Sequence, residues 1–182
     1  MKKQIKNTLA LYPTPLVVVG AMVDGKPNWL LAGHVGIIGH DRIMISLSSS
    51  HYTNQGIRET GKLSVNIVDE NLLSKADRAG FVSGAKEDKS SLFDYVIDDF
   101  GAPMIGQAPI VMECAVDDIY LTDGFESYIC KINRTFAEEH ILGPEGKINY
   151  RIFKPLLFEM PTYEYLCTGD VIGGCTSFGK KQ

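Results

Sequence analysis

The sequence predicts a mainly β (α+β) protein, a closed or nearly closed antiparallel barrel with a few short peripheral helices. Three observations predict it. The apolar segments are short, rich in β-branched residues and punctuated by turns. Two of those turns are Asp-Gly pairs, Asp24-Gly25 and Asp123-Gly124, the dipeptide that tight hairpins favour. The regular alternation of strand and helix that builds a parallel sheet is missing. At least six strands with only two or three short helices fit a closed or nearly closed antiparallel barrel.

Each element has its own justification. Leu16 to Val19 is apolar and β-branched, and Asp24-Gly25 turns it into a returning strand from Asn28 to Ala32. Ile43 to Ser48 reads as another strand. It leads to Thr53, a good N-cap for a short helix over residues 54 to 60 that Gly61 stops. Lys62 to Val68 alternates cleanly, with Leu63, Val65 and Ile67 on one face. Glu70 to Ala79 reads as a helix with Leu72, Leu73 and Ala76 inward and Gly80 as its stop. Ser90 to Tyr95 suggests a helical turn, and Asp98 to Pro109 a Gly/Pro-punctuated connection. Ile110 to Leu121 and Phe125 to Ala137 are two long strands around Thr122-Asp123-Gly124. Lys154 to Pro161 is short and apolar. One domain over residues 1–182 is expected, with a loose, Gly-rich tail from about residue 168.

Composition narrows the function classes. At 182 residues the chain can bury roughly 70% of the surface its unfolded form exposes. Hydrophobic residues make up 45% and charged residues 22%, as in ordinary globular proteins. The net charge of -4 argues against a general nucleic-acid binder, and no run of 18 apolar residues is available to span a membrane. The opening Met1-Lys2-Lys3 imitates a signal-peptide start, but Lys6, Asn7, Pro13 and Pro15 interrupt the apolar stretch that must follow. A cytoplasmic protein is expected. Cys114, Cys130, Cys167 and Cys175 form no CxxC pair; Cys114 and Cys130 fall in apolar strands, and Cys175 follows two glycines. The histidines, His34, His40, His51 and His140, lack metal-ligand spacing. The nearest approach to a dinucleotide fingerprint, Gly33 to Gly39, has the wrong spacing.

Two stretches carry candidate chemistry. Ser46-Leu47-Ser48-Ser49-Ser50-His51-Tyr52-Thr53 places hydroxyls between a strand and a helix start, where oriented N–H groups favour an anion. Val82-Ser83-Gly84-Ala85-Lys86-Glu87-Asp88-Lys89 adds cations beside a Ser-Gly turn. Together they suggest a cradle for a phosphate monoester.

In order along the chain, Asn28-Trp29-Leu30-Leu31-Ala32, Ser49 to Asn54, Val65-Asn66-Ile67, Gly80-Phe81-Val82-Ser83-Gly84 with Asp88-Lys89, Ala108-Pro109, Gly146 to Tyr150 and Pro155-Leu156-Leu157 resemble the flavin reductase-like family. The resemblance runs from about Tyr12 to Leu166, and the nearest subgroup is the flavoredoxin branch. It implies a split β-barrel of Greek-key type and an FMN-binding homodimer with the cofactor near the subunit interface. Asn28, Trp29, Leu30, Leu31 and Ala32 would run along the isoalloxazine ring. Ser48, Ser49 and Ser50 would reach the ribityl chain and phosphate. Thr53, with Tyr52 beside it, would hold the phosphate, Lys89 would supply the counter-charge, and Ser83 and Gly84 would line the pocket. Electrons would pass from NAD(P)H through bound FMN to an acceptor, with no catalytic side chain. The alternatives are a flavoredoxin-type carrier that depends on a redox protein partner, and a non-catalytic FMN-binding dimer.

Several positions depart from the family pattern. Leu31 and Gly33 stand where many relatives carry Thr and Ser. His34 replaces an aromatic residue, and relatives often place a histidine near Phe125. His34 is expected either beside the ring or as a buried structural residue. Trp29 is expected to flank the flavin or to pack at the dimer interface. Glu113, Asp117 and Asp118 are expected on solvated faces. Tyr163 and Tyr165 are expected in core or interface packing, with covering of the flavin as the other option.

Overall fold

The computed structural model describes residues 1–179. Its strands are β1 (Thr14–Pro15), β2 (Val17–Val23), β3 (Lys26–Ala32), β4 (Val35–Ile37), β5 (Arg42–Ser48), β6 (Lys62–Ile67), β7 (Tyr95–Val96), β8 (Met104–Ile105), β9 (Ile110–Thr122), β10 (Phe125–Ala137), β11 (Leu156–Glu159) and β12 (Glu164–Cys167). The helices are α1 (Thr53–Thr60) and α2 (Leu73–Phe81), with a 3-10 turn at Glu139–Ile141.

Seven strands form one antiparallel sheet in the order β3-β2-β6-β9-β10-β5-β4. Its edge strands, β3 and β4, are consecutive in the chain and joined only by Gly33 and His34. Two residues span less than about 10 Å, so the two edges must meet. The sheet therefore curls into a half-barrel whose seam lies at Gly33-His34. Thr14 closes this seam from outside, its Oγ1 donating to the Gly33 carbonyl at 2.6 Å, while Ser46 N donates to the His34 carbonyl at 2.9 Å. The mainly β split-barrel expectation is met.

Strand alternation sorts side chains into two cores. Val17, Val19, Leu30, Ile45, Leu63, Val65, Tyr128 and the two buried cysteines fill the barrel. Leu16, Val18, Trp29, Leu72, Ala76, Phe93 and Leu156 pack on the outer face, under α2 and the β11–β12 pair. Cys114 and Cys130 are core as expected; burial holds both thiols protonated, Cys130 at about 12.

The hairpins form where the Asp-Gly pairs place them. Asp24 (φ 49°) and Gly25 (φ 77°) supply the two left-handed positions of the β2–β3 turn. α1 ends at Gly61, which adopts φ 64° and returns its N–H to the Ile57 carbonyl. It lies so close to β2 that a Cβ on Gly56 would stand 2.0 Å from the Met22 carbonyl oxygen.

Five expectations need correction. Thr53 is the first helical residue, not the cap; Tyr52 occupies the cap with helical backbone angles and no side-chain bond. Gly80 does not stop α2, which continues to Phe81, because tertiary contact decides there: a Cβ at Gly80 would meet Leu31 at 2.9 Å. Residues 90–95 form turns that lead into β7 rather than a helical turn. Trp29 reaches neither a cofactor face nor a subunit surface. It is fully buried in the outer core, 5.3 Å from Phe93 and 6.3 Å from Tyr95 between ring centres. Glu113 is not solvated: it is fully buried and accepts from Arg134 Nε at 2.6 Å. Asp117 and Asp118 are exposed, as expected. β12 extends regular structure to Cys167, just before the expected loose tail. Tyr165 packs against the outer core and donates to Asp77, whereas Tyr163 is exposed and meets only the edge of Phe158.

Candidate functional site

The serine-rich turn, the start of α1 and the turn after α2 converge at one end of the barrel. Two cavities lie there and meet at His51. The first, about 210 Å³, is lined by Leu30, Ser50, His51, Tyr52, Thr53, Phe81, Ser83, Gly84 and Lys89, among others. The second, about 280 Å³, is lined by Leu31, Ala32, Gly33, His34, Ser48, His51, Phe125, Phe158 and Met160, with Ser46 and Leu47. A third, about 340 Å³, opens outward past Asn28, Tyr52, Gly84 and Lys89.

The first cavity is built around polar groups. Thr53 is buried, and its Oγ1 accepts from Asn28 Nδ2 at 2.6 Å, leaving its own hydrogen free. The N–H groups of Asn54 and Gln55 are used within the turn, donating to the His51 and Tyr52 carbonyls. Those of Tyr52 and Thr53 have no acceptor among the described residues. Gly84 must be glycine: a Cβ there would stand 2.2 Å from Asn28 Oδ1 and 2.8 Å from the Tyr52 ring.

Lys89 is the unusual member. Only 5% exposed, its ammonium donates to the Ala79 carbonyl at 3.0 Å and the Val82 carbonyl at 3.2 Å. Both acceptors lie at the end of α2, so the lysine holds the Val82–Gly84 turn against the barrel. Two of its three donors are thus engaged. It enters none of the ion pairs among the described residues. Burial without a carboxylate bond lowers its pKa to about 8, the Glu87 charge opposing only in part. His51 is lowered as well, first by desolvation of its ring and then by the Lys89 charge.

The second cavity is mostly apolar. Phe158 fills the space a side chain at residue 33 would need, since a Cβ on Gly33 would lie 2.7 Å from its ring. His34 and Phe125 both line it, their rings tilted by 54° with centres 5.9 Å apart.

The structure thus brings Leu30, Ser50, Tyr52, Thr53, Ser83, Gly84 and Lys89 together in one cavity, and Leu31, Ala32, His34 and Ser48 in its neighbour. Asn28 reaches the first through its bond to Thr53. Asn28 itself lines the third, outward cavity, and two expected residues line none of the three. Trp29 points into the outer core, and Ser49 is exposed, its N–H tied to the Gly124 carbonyl at 3.0 Å. Residues not anticipated are His51, Phe125, Phe158, Met160 and Phe81. His51 sits inside the serine-rich stretch and had a local signal. Phe158 and Met160 arrive from β11 and its following turn, more than 100 residues away from that stretch, with none.

Comparison with known proteins identifies the family and the fold. The family model described as flavin reductase like domain matches residues 9–165. The flavoredoxin of Methanosarcina acetivorans superposes with a TM-score of 0.93 at 33% identity, over 99% of this chain and 98% of that one. The flavoredoxin of Desulfovibrio vulgaris (Miyazaki F) gives 0.91 at 29% identity, over 99% and 100%. An FMN-binding protein from Thermus thermophilus shares the fold at 0.81 and 16% identity, over 96% and 97%. Comparison with curated proteins gave no significant match. The family model spans most of the chain and the flavoredoxin likeness extends over nearly all of it: this protein belongs to the flavin reductase-like family.

Proposed function

We propose that this chain binds FMN at the paired cavities and passes electrons through it from NAD(P)H to an acceptor. One observation carries the reading: a buried ammonium, Lys89, shares a cavity with the Thr53 hydroxyl but has no carboxylate partner. A buried charge costs free energy unless it is paired, and a phosphate monoester would pair it. The donor set fits such a group: one remaining Lys89 hydrogen, the Thr53 hydroxyl, the free N–H groups of Tyr52 and Thr53, and the hydroxyls of Ser50 and Ser83. Ser48, hydrogen-bonded to Ser50 at 3.0 Å, lies between the two cavities and suits a polyhydroxyl chain. Leu31, Ala32, Phe125 and Phe158 suit a flat aromatic ring next to it. When bound, FMN supplies the two-electron redox centre that no side chain here offers. The protein binds it, orients it and excludes water.

The name flavoredoxin, borne by both of the most alike structures described above, favours a second reading: an electron carrier reduced by a partner protein. A homodimer belongs to either reading. An apolar groove of about 450 Å³ opens the barrel between Val35, Ile37, Ile43, Ile67, Met112 and Ile132, with Ile37 86% exposed, and a second copy would cover it. Sedimentation equilibrium tests this.

Absorbance titration tests the cofactor. FMN should bind at least about 100-fold more tightly than riboflavin, which lacks the phosphate. Equal affinity for the two would overturn the cradle. Anaerobic mixing of the loaded protein with NADH and NADPH then separates the readings. Bleaching by either supports the reductase; bleaching by dithionite alone supports the carrier.

A further inference from the structure

His51 stands where the phosphate cavity meets the apolar one, and it is the only residue that lines both. Its backbone is fixed in the turn: its N–H donates to the Ser48 carbonyl at 3.0 Å, and its own carbonyl accepts from Asn54 N–H at 3.1 Å. Its imidazole is unspent. The histidine ring bonds and ion pairs of the described residues belong to His34 and His140. A ligand that spans the two cavities must pass the His51 ring, and both ring nitrogens are free to meet it.

The charges around that ring are one-sided. Besides His51, the titratable groups lining the two cavities are Lys89 from the turn after α2, Tyr52 from the start of α1 and His34 from the β3–β4 seam. No Asp or Glu among the described residues lines either cavity. Carboxylates on the surrounding elements are already engaged: Asp24 by Tyr52, Glu87 by Arg78 and Glu126 by Arg58, each at 2.7 Å. A charged His51 would thus share the first cavity with the Lys89 ammonium and find no counter-charge there. Desolvation, and after it the Lys89 charge, disfavour the protonated ring. An anion seated between the two cations cancels the second effect and supplies the missing charge.

We propose that His51 is a second cationic ligand of the phosphate, neutral in the empty site and protonated as the anion enters, so that FMN capture takes a proton from solvent. The inference rests on the FMN reading above. One imidazole nitrogen gains the proton, buffer loses it, no bond of the cofactor breaks and no electron moves. A phosphate monoester carries about -1.5 to -2 charge near neutral pH, enough to face both Lys89 and His51. The neutral ring spares the empty site two like charges in one cavity.

Histidine NMR on the full chain, with His51 assigned through its backbone, tests this directly. Without flavin, His51 should titrate below the ordinary imidazole value of about 6.5. With saturating FMN it should titrate above that value. With saturating riboflavin, which has no phosphate, it should not move up. A second measurement uses His51→Gln, which keeps a polar side chain but cannot take the charge. The native chain should bind FMN about tenfold more tightly than this variant at pH 6, and within about twofold of it at pH 8.5. Comparing the two chains at one pH cancels the titrations of the phosphate and of Lys89, which both share. A His51 that titrates alike in the empty and FMN-loaded chains would overturn the assignment, as would equal affinity of the two chains at pH 6. Equal binding of FMN and riboflavin would remove the phosphate cradle and this inference with it. Preference for FMN with an unmoved His51 would leave the cradle standing and remove only the second cation.

Discussion

Two parts of this molecule bury charge in opposite ways. At the far side of the barrel wall, Glu113 is fully enclosed but answered by Arg134, which also reaches Asp98 and Asp99 at 3.0 Å each. Glu126, nearly as enclosed, accepts both oxygens' worth of bonds from Arg58 at 2.7 and 2.8 Å and one from Tyr128 at 2.5 Å. Burial alone would raise the Glu126 pKa, yet the bonds from Tyr128 and Arg58 outweigh it and hold the carboxyl below its usual range. Burial does raise Glu113, against the pull of Arg134. In both places charge meets charge within the chain. Lys89 meets only carbonyl dipoles. Lys89 has no charged partner among the described residues, and on the reading proposed above a phosphate would supply one.

Arg134→Met should produce the largest effect on folding. It strands Glu113 and should lower the thermal midpoint by roughly 5–10 °C while leaving FMN affinity intact. Lys89→Met should do the reverse, weakening FMN by about 30- to 100-fold with riboflavin unaffected. Its midpoint without cofactor should move less than that of Arg134→Met, because removal of an unpaired buried charge offsets the loss of its bonds to the Ala79 and Val82 carbonyls. A midpoint that falls as far as in Arg134→Met would make Lys89 one more structural charge and erase the contrast.

The contrast also has a pH signature. Lys89 loses its proton near 8 in the folded chain but near about 10.4 when unfolded. Between those values the unfolded chain holds the extra proton, so Lys89 adds stability to the cofactor-free protein as pH rises across that window. FMN affinity should fall over the same range as the ammonium is lost. Parallel urea melts and FMN titrations at pH 7.5 and 9.5 would show whether the two move in opposite directions, as they must if Lys89 is the anion's partner. The smallest effect is expected from Thr53→Ala, which leaves the buried Asn28 amide without its acceptor and removes one donor from the cradle. It should cost about 1 kcal/mol in stability and about fivefold in FMN affinity.

Much of the candidate site was legible because its groups are close in sequence. The strand-to-helix turn at residues 46–53 carries its own chemistry, and the Ser-Gly-x-x-x-x-Lys run is short enough to read as one turn. Lys89 was expected as the phosphate's counter-charge, but its burial was not foreseen, since burial depends on α2 and its following turn folding over it. Thr53 was assigned as a cap because a hydroxyl before a helix usually bonds the helix's own N–H. Here Asn28, on a strand 25 residues earlier, donates to that oxygen instead. Glu113 was placed in solvent by the usual exposure of carboxylates. Nothing local announces Arg134, which reaches it only because β9 and β10 pair across a bulge that sets residue 134 opposite residue 113.

Local rules decided the strands, both Asp-Gly hairpins, the Gly61 stop and the order of family motifs, because turn preference and side-chain period act over a few residues. Tertiary structure decided which face of each strand is covered. Trp29 could serve an outer core only once α2 and β7 lay over it. His34 reached a cavity only once two edge strands met at a two-residue seam, and Phe158 filled the space beside Gly33 only once β11 arrived from the far end of the chain. Those outcomes depend on contacts between residues distant in sequence, whose geometry no short stretch encodes.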